Sequence, residues 1–440
     1  MSPITGILTV LGGLGLLLGG VHCLGYTTWC GAELRRKLVH VGMGLLTISF
    51  PWLFHERWPV WLLAIFATVA LGGIRLNKAL RQTVGRALHD VERSSWGDIC
   101  FPWAVAVIFW LANGDAVTFG VPILLLTFGD AAGALTGVRY GKTGFSTPEG
   151  NTKSIEGSVA VFGVSFLCAH LPLLLMTSMG RAESVCASMT LALLVTLLES
   201  VAVRGLDNLL IPLGAFFLLQ FYRNMEAAAL LSLFGITTGM LGVMVLTRKW
   251  NGLDAGAILG GALLGYASFT LGGWLFLLPL FGFYGRHLFS VTLRPHLRSY
   301  RHGITAILSL TASAIPWIGG QFAEGSIRLL PFTLALCLHC AVNRDGGVIR
   351  GVLKPTIRSL LESCVVAILF CIGPVIPFLK TQQMAQVLVG SIVLVPCILL
   401  CCRRILPRED DGVYAINEER FFLQGLLALV GSGIFYLLIR

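Results

Sequence analysis

The chain has 440 residues, of which 55% are hydrophobic and only 12% are charged. Soluble proteins carry roughly a quarter charged residues, so this composition and a mean hydropathy of +0.81 exclude a soluble enzyme. A nucleic-acid-binding protein is excluded as well, although 32 Lys and Arg against 22 Asp and Glu give a net charge of +10. The composition instead predicts an all-α fold, a polytopic bundle of transmembrane helices in a lipid bilayer, either a bacterial inner membrane or an organelle membrane.

The predicted elements are membrane-spanning helices. A span needs about 20 predominantly apolar residues, and the chain offers about 16 such runs. In chain order the predicted spans cover residues about 4–23, 38–54, 59–74, 100–113, 116–138, 157–178, 184–203, 209–221, 226–247, 254–270, 271–285, 303–320, 329–342, 359–379, 385–402 and 421–439.

The basic residues predict how these spans are oriented. Most Lys and Arg residues fall in loops that share one side of the membrane if the N-terminus lies outside, namely the loops at 24–37, 75–99, 139–156, 286–302, 343–358 and 403–420. The positive-inside rule makes that side cytoplasmic. The basic excess therefore indicates topology rather than an anionic partner. A break near Arg248–Asp254 further predicts two membrane domains, residues 1–248 and 249–440.

The first feature that suggests chemistry is an acid within an apolar run. Asp130 lies several turns from the end of its predicted span, where a carboxylate is costly unless it is paired or metal-bound. Gly133, Gly137 and Gly141 follow at helical spacing and share its face. Such a face allows close approach of a phosphate, but it equally fits a helix-packing seam with a structural acid. The spacing leaves both interpretations open.

A second cluster lies just before the next predicted span. Lys153 and Ser154 precede Glu156 and Gly157 there. A lysine can pair with a phosphate, and the N–H groups of a helix start can bind an anion. An acid, either Asp130 or Glu156, can hold Mg²⁺ through oxygen ligands. These features together predict a site that handles phosphate groups.

Other polar residues cluster at the same predicted edge of the membrane. Arg36 and His40 are neighbours at i and i+4 where the second span begins, a position that basic anchoring would also explain. Glu199 lies in the last turns of a span, where an acid usually faces a partner or a pathway. Asp207 and Asn208 follow, and they are good caps for the next helix.

These motifs, in this order, resemble the signature of the membrane isoprenoid-alcohol kinases, the polyprenol, phytol, farnesol and dolichol kinase family. The resemblance covers residues about 30–222 and is closer to the phytol kinase branch. Mild departures are Gly133, where the signature usually has Ala, and Asp98, where Glu is common. The matching motifs are Arg36-Lys37-Leu-Val-His40-Val-Gly, Gly129-Asp130-Ala-Ala-Gly133-x3-Gly137-x3-Gly141, Asn151-x-Lys153-Ser154-Ile-Glu156-Gly157-Ser158, Glu199, and Arg204-Gly-Leu-Asp207-Asn208-x3-Pro212.

The resemblance implies an enzyme that transfers a phosphoryl group from CTP to a membrane-embedded prenyl alcohol such as phytol, geranylgeraniol or farnesol. It implies that Mg²⁺ would be held by Asp130 and Asp207. The nucleotide would be bound by the small-residue face and the following helix start, that is by Gly133, Gly137, Gly141, Lys153, Ser154, Glu156 and Gly157. The catalytic residues would be Arg36 or Lys37, which would neutralise developing charge, and His40 or Glu199, which would accept the alcohol proton.

Residues about 250–345 resemble a second membrane family that includes the phytyl-phosphate kinases. This likeness rests on Gly256-Ala257-Ile-Leu-Gly260 and Leu271-Gly272-Gly273-Trp274. The acidic pattern of that family is not reproduced in the run Leu336–Gly347. The second domain is therefore either a fused prenyl-phosphate kinase or a degenerate, structural half.

Two other functions compete with the prenyl-alcohol kinase. A polytopic lipid or small-molecule transporter would show an inverted repeat and polar residues at the midplane of both halves, and the sequence shows neither. A CTP-dependent glycerolipid kinase or cytidylyltransferase is the other alternative, but the tighter acidic signature of the cytidylyltransferases is absent.

Overall fold

The computed structural model describes residues 2–24, 31–76, 96–147, 152–293, 302–318, 321–344, 362, 365–405 and 418–439. The chain forms two compact units, Met1–Phe234 and Gly235–Arg440. The predicted all-α fold is confirmed, because the described residues are helical apart from one short β-hairpin and a few turns. The domain boundary at residue 248 stays a prediction.

The elements of unit 1 follow the apolar runs closely. They are α1 (Pro3–Leu24), α2 (Ala32–Ile48), α3 (Phe50–Leu53), α4 (Trp58–Leu76), α5 (Gly97–Ala112), α6 (Ala116–Tyr140), β1 (Gly144–Ser146), β2 (Thr152–Ser154), α7 (Ile155–Met176), α8 (Arg181–Val201) and α9 (Asp207–Tyr222). Helix α10 (Ala227–Leu246) begins in unit 1 and ends in unit 2.

Unit 2 continues with α11 (Arg248–Asn251), α12 (Ala255–Gly272), α13 (Trp274–Leu293), α14 (Ile304–Ile318) and α15 (Gln321–Arg344). A π-helical turn (Ile368–Ile372) and a 3-10 turn (Ile376–Phe378) precede α16 (Thr381–Ile405) and α17 (Glu418–Ile439). The sequence predicts a continuous span at 359–379, but residues 368–378 form these two turns instead. Pro374 and Pro377 explain the difference, because proline has no backbone N–H to donate within a helix.

The protein is a membrane protein. Within the described residues, eight helices are long and apolar enough to cross a bilayer, namely Pro3–Leu24, Ala116–Tyr140, Ile155–Met176, Arg181–Val201, Ala227–Leu246, Ala255–Gly272, Thr381–Ile398 and Phe421–Ile439. Shorter apolar helices accompany them, among them Gly97–Ala112 and Asp207–Tyr222. The total of about 16 spans and the outside position of the N-terminus stay predictions.

The start of helix α6 is held in place by an acidic cap, Asp115. Asp115 accepts hydrogen bonds from the backbone N–H groups of Val117 and Thr118, at 3.0 and 3.2 Å, and so caps the helix. Its other oxygen lies 2.5 Å from the guanidinium of Arg223, just beyond α9. This cap and ion pair tie the start of α6 to the end of α9.

Helices α6 and α7 pack closely along the glycine face. A Cβ added at Gly133 would lie 2.5 Å from the side chain of Val161, and one added at Gly157 would lie 2.8 Å from the carbonyl oxygen of Gly133. Larger residues would therefore force the two helices apart. The glycine spacing that the sequence leaves open is, in the fold, a helix-packing seam.

Candidate active site

Three carboxylates from three helices converge in unit 1. Asp130 lies on α6, Glu199 near the end of α8, and Asp207 at the start of α9. One carboxylate oxygen from each lies within 4.8 Å of the others, and all three side chains are partly buried. Within the described part of the chain, this is the group of acids arranged to hold a metal ion. Like charges at such distances repel strongly, so the cluster needs cations.

The first cation is Lys37 on α2. Its ammonium nitrogen lies 2.6 Å from Oδ2 of Asp130, and its side chain is only 2% exposed, against 14% for Asp130. A lysine this deeply buried is stable only when it is paired. Helix α2 comes close enough because Gly44 faces α6, where an added Cβ would clash with Thr127. The close packing of α2 against α6 at Gly44 therefore brings Lys37 within reach of Asp130.

The second cation is Lys153 on strand β2. Its ammonium nitrogen lies 2.8 Å from Oε1 of Glu199 and also donates to the backbone carbonyl of that residue. Strand β2 pairs with β1 in antiparallel fashion, with Lys153 opposite Phe145. The carboxylate of Glu156 accepts from the backbone N–H of Thr143 at 3.2 Å, which closes the base of this hairpin. Glu156 thus helps to position Lys153, whereas Glu199 belongs to the acid cluster.

His40 stands beside the same acid as Lys37. Its Nε2 lies 3.4 Å from Oδ2 of Asp130 and 3.5 Å from the backbone carbonyl of Leu126. The ring of Phe101 packs near the imidazole, at 6.4 Å between ring centroids. Both oxygens facing Nε2 are acceptors, so the neutral imidazole carries its proton on Nε2 and keeps Nδ1 as a proton acceptor.

Two buried side-chain oxygens, one on an acid of the cluster and one on the residue that follows Asp207, have no hydrogen-bond partner among the described residues. They are Oε2 of Glu199 and Oδ1 of Asn208. A buried oxygen without a partner costs free energy, and such groups are rare in folded proteins. Asn208 follows Asp207 in the first turn of α9, after a tight turn in which Arg204 and Gly205 have positive φ angles of 52° and 82°. Both oxygens are of the kind that a hard cation binds.

The charges of the cluster nearly cancel. With all three carboxylates ionised, they face the ammonium groups of Lys37 and Lys153, and one net negative charge is left. A divalent cation bound there would turn this into one net positive charge. The site would then attract anionic groups.

Of the predicted phosphate-binding residues, Lys153 contacts the acid cluster, whereas Ser154 and the glycines lie where α6 packs against the start of α7. Ser154 caps α7, since its Oγ accepts from the backbone N–H of Gly157 at 3.0 Å. An added Cβ at Gly137 would lie 3.2 Å from that Oγ, and one at Gly141 would lie 2.9 Å from Ser154 Cβ. These residues form the seam that holds Lys153 in place. Direct binding of a nucleotide by the glycines remains a prediction.

Arg36 does not join the acid cluster directly. Its guanidinium makes two hydrogen bonds to Glu33 on the same helix, at 2.7 and 3.0 Å, and its side chain is 47% exposed. Of the two basic residues that the motif offers for charge neutralisation, Lys37 is the one in contact with an acid of the cluster.

The sequence leaves His40 and Glu199 as alternatives for proton transfer and places Glu199 at the same membrane edge as the other acids, but it does not say which side chains make contact. The predicted capping of α9 by Asp207 or Asn208 is not observed, because Leu206 occupies the N-cap position and no side chain caps the helix. The signal available was the position of Glu199 near the end of an apolar span that leads into the Asp207 turn.

Comparison with known proteins finds a curated relative named "Phytol kinase" from Synechocystis sp. It is 30% identical to this chain over 186 residues, which cover 42% of this chain and 77% of the relative. No family model matches the chain. No solved structure matches it either.

Proposed function

The chain belongs to the phytol kinase family, and from this premise we propose that it transfers a phosphoryl group from CTP to the hydroxyl of a prenyl alcohol such as phytol, geranylgeraniol or farnesol. The observation that carries the proposal is the cluster of Asp130, Glu199 and Asp207 with two lysines at its edge. Phosphoryl transfer needs mainly positioning and charge neutralisation, and this cluster is built for both.

The donor set fits Mg²⁺. Three carboxylates and the unpartnered oxygen of Asn208 are hard oxygen ligands, the type that Mg²⁺ prefers. We assign the cation to Asp130, Asp207 and Glu199. When bound, it supplies charge neutralisation on the nucleotide phosphates.

The lysines bind and orient the phosphates in this proposal. Lys37 and Lys153 each hold one carboxylate, and as compact ammonium groups with three donors each they can also reach phosphate oxygens. Ser154 and Gly157 hold the start of α7 against α6, which keeps Lys153 within reach of the cluster.

We assign the alcohol proton to His40 rather than to Glu199. Glu199 already contacts Lys153 and belongs to the acid cluster. The imidazole of His40 directs Nε2 to Asp130 and keeps Nδ1 as an acceptor, so Asp130 orients the ring for proton transfer. The alcohol would bring its hydroxyl to this edge of the membrane and leave its tail in the lipid. With the N-terminus outside, the edge is cytoplasmic, where CTP is available.

The second half of the chain has no comparable proposal. Within its described residues, no three carboxylates, histidines or cysteines come together as a metal site. A fused prenyl-phosphate kinase therefore stays a prediction from the resemblance alone.

The test is a transfer assay on membranes that contain the full chain. Labelled CTP should phosphorylate a prenyl alcohol, and diacylglycerol or phosphatidate should not accept the label. Asp130→Asn and Asp207→Asn should each lower the rate roughly 100-fold or more, as expected when a group that stabilises developing charge is removed. Glu226→Gln, the corresponding acid-to-amide change at an exposed acid of unit 1, is the control and should leave the rate unchanged. Transfer that survives both site variants would refute the assignment of the site, and labelling of the glycerolipids alone would refute the substrate class.

A further inference from the structure

Unit 2 contains a cavity that the proposed reaction does not use. It has a volume of about 100 Å³ and lies among α10, α12, α13, α14, α15 and α17. Its walls are mostly apolar, and typical lining residues are Met244, Leu264, Leu280, Ile307 and Leu310. Among the described residues that line it, none is acidic, and none is a lysine or an arginine.

A network of hydrogen bonds around Asn251 holds one side of the cavity in place. Asn251, at the end of α11, is fully buried and donates to the backbone carbonyl of Met244 at 3.0 Å and to the hydroxyl of Tyr284 at 3.1 Å. Its side-chain oxygen accepts from the backbone N–H of Leu253 at 3.0 Å. These bonds fix the backbone carbonyl of Asn251, which lies 2.5 Å from Nε2 of His287.

This contact determines the state of His287. A carbonyl oxygen only accepts, so Nε2 must carry a proton, and a neutral imidazole then offers Nδ1 as a hydrogen-bond acceptor. No hydrogen bond to Nδ1 is found among the described residues; the ring lines the cavity and lies 5.4 Å, between centroids, from the ring of His302. His339, which lines the same cavity, differs because Ser313 and Gln424 bond to its two ring nitrogens at 3.0 and 2.9 Å. Nδ1 of His287 is therefore an acceptor that is available to a ligand in this mostly apolar cavity.

We propose that this cavity binds the hydroxyl end of a neutral long-chain alcohol, with the hydroxyl donating to Nδ1 of His287. The cavity, at about 100 Å³, is smaller than the engineered cavity of about 150 Å³ that binds benzene, and so takes the hydroxyl and only the first few carbons. The tail leaves past Phe281, which lines the cavity and is 46% exposed. Among the described lining residues there is no lysine or arginine to pair directly with a carboxylate or phosphate headgroup. The inference uses unit 2 alone and does not depend on the kinase reaction.

The test is photo-crosslinking of the full chain without nucleotide. The probe is a hexadecanol analogue with a diazirine near the hydroxyl and a terminal alkyne for enrichment, and labelled peptides are mapped by mass spectrometry. We expect label on the peptides that contain Met244 and Phe281. Unlabelled hexadecanol should compete for it, whereas hexadecyl phosphate should not.

Variants of the acceptor separate binding from general lipid contact. His287→Leu should lower the labelling of these peptides about fivefold, the effect of losing one neutral hydrogen bond. His287→Gln keeps a donor and an acceptor and should retain the label, and His55→Leu, the same change at an exposed position of unit 1, should not alter it. Should His287→Leu fail to fold, Ala306→Leu tests the same cavity by filling it.

Four results would overturn the proposal. They are uniform label over all apolar helices, unchanged label in both His287→Leu and Ala306→Leu, loss of label in His287→Gln equal to that in His287→Leu, and stronger competition by the alkyl phosphate than by the alcohol. Kinase activity is measured separately on the same samples, so a failure of the proposed kinase reaction can be distinguished from a failure of alcohol binding in this cavity.

Discussion

The buried ion pair between Lys37 and Asp130 offers a test that separates folding from catalysis. The side chain of Lys37 is only 2% exposed, and its ammonium nitrogen lies 2.6 Å from Oδ2 of Asp130. Asp130→Asn would remove the negative charge from that position and leave the buried ammonium group without a charged partner. Removing one partner of a buried ion pair costs about 3–5 kcal/mol. Lys37→Met should cost less, because Asp130 is more exposed and keeps His40 nearby.

The double variant Lys37→Met/Asp130→Asn should recover most of the lost stability, because replacement of both partners leaves no buried charge. We expect Asp130→Asn to lower the thermal midpoint by roughly 10 °C. The double variant should lie within a few degrees of the unmodified chain and should still be inactive as a kinase. The midpoint is measured by fluorescence-detected size-exclusion chromatography after heating, and activity by transfer of label from CTP. An active double variant would refute the reasoning, since the pair would then be purely structural. A double variant as unstable as Asp130→Asn would refute the assigned pairing.

Two further predictions concern the frame around the site. Gly133→Val should lower the stability of unit 1 by about 1–3 kcal/mol, because its Cβ would lie 2.5 Å from the side chain of Val161. At Gly163 no atom lies within 4 Å of an added Cβ, so Gly163→Ala should have little effect in the same melting assay. The second concerns pH: partial burial would raise the pKa of Asp115, but hydrogen bonds from Thr118 and Arg223 outweigh it and hold that pKa below its ordinary value. The stabilisation by this carboxylate is therefore present at neutral pH and is lost as the pH falls through the lowered pKa of the folded state. When the thermal midpoint is measured as a function of pH, Asp115→Asn should show a smaller fall of the midpoint at acidic pH than the unmodified chain. The same fall in both proteins would contradict the assignment.

The sequence predicts the class of fold and the position of most spans because hydrophobic runs determine where helices can lie in a membrane. The helices α6 and α7 begin and end within a few residues of the predicted limits. The break at Pro374 and Pro377 was missed because the run around them is apolar throughout, and hydropathy alone does not register a missing backbone donor.

The site is only partly predictable for a different reason. Spacing along one helix places Asp130 and the glycines on one face, but it cannot say which helix packs against that face. The contacts of Asp130 with Lys37, and of Glu199 with Lys153, join residues far apart in the chain. Their partners follow from helix packing, which one sequence does not reveal. The same holds for the unpartnered oxygen of Asn208, which a helix-capping pattern explains equally well until its surroundings are known.

In the proposed site, Glu199 binds the divalent cation together with Asp130 and Asp207, while His40 accepts the proton. The most direct measurement is Mn²⁺ binding to the purified full chain, followed by electron paramagnetic resonance, in parallel with kinase activity. We predict that Glu199→Gln loses both Mn²⁺ binding and activity, and that His40→Gln loses activity but binds Mn²⁺ as the unmodified chain does. Unchanged Mn²⁺ binding in Glu199→Gln, together with its loss in His40→Gln, would contradict the account.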